Sequence, residues 1–224
     1  MREQAIEPIS SVAPALADQA YVALEERIVT LQLKPGEFLS EHALAAQLGL
    51  GRTPIREALQ RLVREGMVSV LPRRGILVAT TDPGQQMLVL EVRRELERLL
   101  SRTAAERASA DQRQEFRVIA EGMTVASGTN DDLAFMRLDR AFNILMTEAA
   151  HNEFAASAMR LINGQSRRFW YQHYKQAADL PLCARLHAEQ AQAISSGNSA
   201  AAAIASDLLI DYTEAFTRAA ARKS

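Results

Sequence analysis

Two sets of residues in this sequence could do chemistry. The first is Arg52, Thr53 and Arg56, with Arg73, Arg74 and Gly75 some twenty positions on. A guanidinium can span O6 and N7 of guanine with two bonds, and arginines on an exposed tip suit phosphate or minor-groove contact. From Gly51 to Gly75 six arginines stand against two glutamates, a local charge of +4 in a chain of formal net charge −1. Duplex DNA requires a local basic face of this kind, not a basic protein. The second set is Arg93, Asp139, Asn143, His187 and Tyr212. These polar groups fall on or beside apolar helix faces, where buried polar atoms need partners or ligands. Together they could orient an organic acid or another small polar metabolite through charge-assisted bonds.

The elements that must position the first set are legible locally. Ser40 is a good N-cap, and Leu44, Ala45 and Leu48 follow at helical spacing. Gly49 supplies a turn, Thr53 caps a second helix and Pro54 fits its first turn, while Ile55, Ala58, Leu59 and Leu62 form the buried stripe. Arg52, Thr53 and Arg56 then cluster at the helix N-terminus off that stripe, where a recognition helix meets base edges. Residues 67–71 and 76–80 are short β-prone runs around Pro72-Arg73-Arg74-Gly75, a hairpin wing with a cationic tip.

Beyond Thr81 the pattern becomes helical, with a hinge at Asp82-Pro83-Gly84 and helices expected near 84–108, 111–127, 131–150, 152–175, 181–196 and 199–221. Ser109 and Gln112 suggest a capping box, Asn130 and Asn198 N-caps, and Gly128 and Gly197 helix ends. Phe135, Leu138, Phe142, Leu145 and Met146 set one apolar face, with Asp139 and Asn143 one turn apart on its edge. His187 shares a face with Cys183, Ala191 and Ile194, while Arg167 and Arg168 are further cationic candidates for the pocket, although arginines at the end of a helix segment are usually solvated. The aromatic cluster Phe169, Trp170, Tyr171 and Tyr174 reads as core or dimer packing.

The expected fold is therefore mainly α: an N-terminal winged helix-turn-helix with a small β-hairpin wing, followed by an all-α antiparallel bundle of about six helices. The expected organisation is a flexible arm over 1–17, a DNA-binding module over 18–80 and a helical effector-binding and dimerisation domain over 84–224. A hydrophobic content of 48% over 224 residues allows a sizeable core without staples, and the single cysteine, Cys183, excludes an internal disulfide. No stretch approaches the about 20 apolar residues of a membrane span, so a cytoplasmic protein is expected.

From Tyr21 to Val78 the chain resembles the winged helix-turn-helix of GntR-family bacterial repressors, through Leu33-Lys34-Pro35-Gly36, Leu48-Gly49, Arg52-Thr53-Pro54-Ile55-Arg56-Glu57-Ala58-Leu59 and Glu65-Gly66. Gly51 stands where the family usually has Ser or Thr, and His42 where relatives often carry Arg. The remainder is similar to the FCD ligand-sensing domain of FadR-like members, through Glu91-Val92-Arg93, Leu96-Glu97, Leu138-Asp139, Asn152, His187 and Gly197-Asn198. Many such domains hold a divalent metal, which in turn binds a small carboxylate. The resemblance puts its ligands at Asp139, Asn143, His187 and at or near Leu209, of which only Asp139 and His187 are strong donors. No tightly held metal is expected, and nothing in the spacing of His151 or His173 makes either a substitute.

The resemblance implies a homodimeric, metabolite-responsive transcription regulator, most often a repressor. It would bind a pseudo-palindromic operator in double-stranded DNA under control of a small organic acid or similar effector, with no enzymatic activity. The alternatives are a helical metal-dependent enzyme with a DNA-targeting domain, and a constitutive DNA binder whose pocket has decayed to packing.

Overall fold

The computed structural model describes residues 15–177 and 179–222; most of the expected N-terminal arm lies outside them. Helix α1 (Leu16–Val29) begins two residues inside the stretch read as an arm. Strand β1 (Phe38–Leu39) follows, then α2 (Glu41–Leu48), α3 (Arg52–Arg64) and the hairpin β2 (Val68–Leu71) and β3 (Gly75–Val78). The strands form an antiparallel sheet in the order β1-β3-β2, with Leu71 opposite Gly75 and Phe38 opposite Leu77.

Short-range chemistry fixes these pieces. The Ser40 hydroxyl accepts from the Ala43 N–H, and Gly49 closes α2 in the left-handed region at φ 64°. Ile55, Ala58, Leu59 and Leu62 are buried, and α3 packs against α1 through them. The N-cap of α3 is Gly51, two residues earlier than the expected Thr53, so Arg52, Thr53 and Pro54 are its first three helical residues.

The bundle comprises α4 (Pro83–Arg107), α5 (Ala110–Thr129), α6 (Asp132–Ala149), α7 (Glu153–Ala177), α8 (Leu180–Ser195) and α9 (Ser199–Ala221). Both halves of the Ser109–Gln112 capping box form, and Asn198 caps α9. Two local readings are corrected. Asn130 is the left-handed C-cap of α5 at φ 54°, leaving Asp131 to cap α6, and Gly128 lies inside α5. Asp82, in the segment expected as a hinge, accepts from the Gln85 N–H as the N-cap of α4.

Helix α4 packs on α9 and α7, α5 on α8 and α6, and α8 on α9. Phe116, Phe135, Phe142 and Phe169 are fully buried between them. Helix α7 also reaches α1 and the hairpin: Met67 Sδ lies where a Cβ on Gly164 would approach it to 3.1 Å, so the absent side chain permits this close approach.

Candidate functional site

The N-terminus of α3 is exposed, with Arg52, Thr53 and Arg56 all solvent-facing. Gly51 offers no side-chain cap, which leaves the first N–H groups of the helix unsatisfied and directed at solvent. A Cβ at Gly51 would meet Pro54 Cδ at 3.6 Å and Cγ at 3.9 Å, ordinary contacts, so glycine is not sterically required there. Arg56 donates to the Glu41 carboxylate from Nε and Nη2 at 3.3 and 3.0 Å, and Arg52 stands 4.0 Å from the same carboxylate. This pair holds the Glu41 carboxyl below its ordinary range, chiefly through the hydrogen bond from Arg56. Sequence reading missed Glu41, although its place beside a helix N-cap was the available signal.

His42 is exposed on α2. The wing tip is a turn in which Arg74 N–H donates to Leu71 C=O at 3.0 Å, with Pro72 second and Arg73 third at φ 63°. Both tip arginines are exposed, and Gly75 follows at φ 104°. Of the six arginines in this stretch, Arg61 does not belong to the same face. It pairs with Glu65 and Asp18 and lies over the Tyr21 ring, 3.5 Å from its centroid.

In the bundle, Arg93, Asp139 and His187 line one cavity of about 40 Å³, the space of about three waters. Phe135, Trp170 and Leu209 are among its apolar walls. His187 Nε2 lies 3.3 Å from Asp139 Oδ1, while its Nδ1 is 2.9 Å from the Cys183 carbonyl oxygen. Both neighbours are acceptors, so the ring satisfies them together only as the imidazolium. Burial opposes that charge, but the bonds to Asp139 and Cys183 lift the His187 pKa well above its usual value. Burial likewise opposes the Asp139 carboxylate, and the His187 bond and the Arg167 charge override it, holding the pKa far below the ordinary range.

Asn143 is buried beside the cavity, with Nδ2 donating to Asp139 Oδ1 at 2.9 Å and Oδ1 accepting from Arg93 Nη2 at 3.2 Å. Arg93 further donates to Glu97 at 2.6 Å and to Asn163 at 3.1 Å. Tyr212 is not brought to the cavity: its hydroxyl donates to the Asp179 carbonyl oxygen at 3.0 Å, bracing the start of α8.

Arg167 and Arg168, cationic candidates for the pocket whose ordinary reading is solvated, are both buried, and Arg167 lines the cavity. Arg167 Nε donates to Asp139 Oδ2 at 2.7 Å, and its Nη1 bonds Glu25 of α1. Among the described residues Arg168 donates only to carbonyls, those of Met67, Ala79 and Thr80, and burial pushes its pKa down to about 10. The ties to Glu25 and to the three carbonyls could not be found from sequence, because those acceptors lie in the winged module, far away along the chain.

A divalent metal does not fit this donor set. Asp139 spends one oxygen on Arg167 and the other on His187 and Asn143, Asn143 presents its amide nitrogen to Asp139, and Leu209 has no lone pair. A guanidinium at 2.7 Å from the principal ligand also opposes a second cation. His151 is exposed at the α6–α7 turn and His173 packs on Phe169, so neither completes the set. Among the described residues no helix is long and apolar enough to cross a membrane.

Comparison with known proteins agrees with this architecture. Residues 16–78 match the family model "Bacterial regulatory proteins, gntR family", and residues 88–212 match "FCD domain". An uncharacterised HTH-type transcriptional regulator from an unstable DNA locus of Streptomyces ambofaciens is 46% identical over 65 residues, 29% of this chain and 28% of that protein. The Nta operon transcriptional regulator of Aminobacter aminovorans is 30% identical over 141 residues, covering 62% of this chain and 66% of that protein. The solved structure of E. coli McbR/YncC shares the fold, with a TM-score of 0.78 at 21% identity over 92% of this chain and 98% of the other. The chain belongs to the GntR family of DNA-binding transcription regulators, in the branch that carries an FCD domain.

Proposed function

We propose that this regulator is a metabolite-responsive repressor that binds a pseudo-palindromic operator as a homodimer. The observation that carries the DNA reading is the exposed start of α3, where Arg52, Thr53 and Arg56 and uncapped backbone N–H groups face solvent together. Arg52 and Arg56 read base edges, with Arg56 exchanging Glu41 for the DNA. Arg73 and Arg74, with His42 beside them in role, contact backbone or the minor groove. One recognition helix covers few base pairs, so two related half-sites, and hence two chains, supply useful specificity.

The bundle cavity takes the effector, a small anion of carboxylate type held by Arg93, Arg167 and His187, with Asn143 bracing the floor. Its volume limits the unrearranged site to a few heavy atoms. A second reading is favoured by one observation: the cavity cations already have anionic partners in Glu97, Asp139 and Glu25. On that reading the polar cluster is packing and the protein binds DNA constitutively.

Gel-shift titration on a duplex selected by the wild-type chain tests the first half. Arg52→Ala or Arg56→Ala should weaken specific binding by about 5–150-fold, while Arg73→Ala or Arg74→Ala should weaken binding to all DNA and flatten its salt dependence. Unchanged specific affinity in the α3 variants would overturn the assignment. Thermal unfolding against a panel of small carboxylates separates regulator from constitutive binder, because a ligand that prefers the native state raises stability.

A further inference from the structure

Arg167 on α7 joins the bundle cavity to α1. Its Nε donates to Asp139 Oδ2 at 2.7 Å inside the cavity, its Nη2 to the Met136 carbonyl oxygen at 2.7 Å, and its Nη1 to Glu25 of α1. All three ionised side chains are buried, at 7% exposure for Arg167, 4% for Asp139 and 3% for Glu25. Glu25 is the one charged side chain in the buried set of α1 among the described residues, and α1 packs directly on the recognition helix α3.

We propose that Arg167 is the positioning residue through which the bundle cavity controls the DNA-binding module, by dividing one guanidinium between Asp139 of the cavity and Glu25 of α1. The proposal rests on the cavity being the effector site. A guanidinium is planar and rigid, so its three bonds cannot be adjusted independently. An anion entering the cavity beside Asp139 draws Arg167 inward and lengthens the bond to Glu25. The remaining partner of Glu25, Arg140 Nε at 3.2 Å, occupies its other oxygen. Glu25 then keeps Arg140 alone, a partly exposed partner, and the buried Oε1 left without a donor is disfavoured, so α1 shifts to hydrate or re-pair it.

The other ties between α1 and the bundle cannot substitute. Glu26 meets Arg137 at 2.9 Å, but that pair is largely exposed and therefore weak. At the far side Arg168 and Gln165 hold backbone carbonyls of the hairpin region and of Glu65. Those bonds contain no cavity residue and do not sense its charge. The result is a module fastened at the hairpin and released or held at α1.

The test is a double-mutant cycle in the full-length chain, read as affinity for a duplex selected by the wild-type protein from a randomised library. Asp139→Asn removes the charge on the cavity side. It should change duplex affinity at least about fivefold in the wild-type background and leave it unchanged in the Glu25→Gln background. Affinity for unselected DNA at the same salt should not follow, as it would if the variants merely loosened the fold. Additive effects, or no effect of Asp139→Asn, would overturn the relay whatever occupies the cavity. Acetate titration supplies a second arm. Where acetate raises the melting temperature of both wild type and Glu25→Gln, the duplex response should survive only in wild type, and its survival in Glu25→Gln would overturn the relay. Failure of acetate to stabilise either protein counts against the effector reading alone, and the cycle then decides the relay. If Glu25→Gln does not fold, Arg167→Lys replaces it, since one ammonium cannot hold both carboxylates in this geometry.

Discussion

Replacing Arg168 by methionine should destabilise the protein by about 2–5 kcal/mol, although it removes a buried charge that has no carboxylate partner among the described residues. Arg168 is 2% exposed and donates from Nη1 to Ala79 O at 2.9 Å and Met67 O at 3.2 Å, and from Nη2 to Thr80 O at 3.2 Å. Lowering the guanidinium pKa from 12.5 to about 10 corresponds to about 3 kcal/mol of desolvation against the charged form. Methionine recovers that cost. Each of three hydrogen bonds from a charged donor is worth about 1.5–3 kcal/mol, so their joint loss exceeds the recovery. The loss is moderated because Met67 O keeps the Ala79 N–H at 3.1 Å and Thr80 is exposed enough for water to replace the arginine. Urea unfolding followed by Trp170 fluorescence and by far-ultraviolet circular dichroism gives the value, since the chain's one tryptophan lies on the same helix. Arg168→Lys should recover part of the loss through one or two of the carbonyls. A methionine variant as stable as wild type, or more so, would refute the reasoning by showing that the burial cost dominates.

The Asp139–His187 pair makes stability depend on pH. The folded pKa of His187 is raised, so its contribution is fully present below the unfolded value of about 6.5 and is lost as pH rises through the higher folded value. The folded pKa of Asp139 is depressed, so its contribution is present above about 3.9 and is lost as pH falls through the lower folded value. Stability of wild type minus His187→Gln, measured by urea unfolding, should therefore decline from pH 6 towards alkaline pH; a flat difference up to pH 9 would contradict the buried imidazolium. Elemental analysis of dialysed protein should find well below one divalent transition metal per chain, and a stoichiometric content would show that Asp139 leaves Arg167 to coordinate it.

The sequence by itself determined the elements and the faces they present. Ser40, the Ser109–Gln112 box, Asn198 and Gly49 act within three or four residues of themselves, and the stripe Ile55, Ala58, Leu59 and Leu62 needs only helical period to declare a buried side. The exposed start of α3 and the cationic turn were legible for the same reason: both are local consequences of a glycine turn, a proline and a hairpin, although the cap expected at Thr53 falls at Gly51. His187 was likewise legible as inward-facing, because its neighbours at helical spacing are apolar.

Tertiary structure decided the partners. Arg167 meets Glu25 across 142 positions and Arg168 meets Met67 across 101, so two arginines that sequence offered as pocket cations or as solvated groups are buried ties between α7 and the winged module. Tyr212 turned to Asp179, and Arg61 turned to Tyr21 and Glu65. Periodicity states which side of a helix is buried, but not which residue of another element is brought against it. A charged side chain's role follows from that second fact, because desolvation and pairing are properties of the packed interior and not of the residue alone.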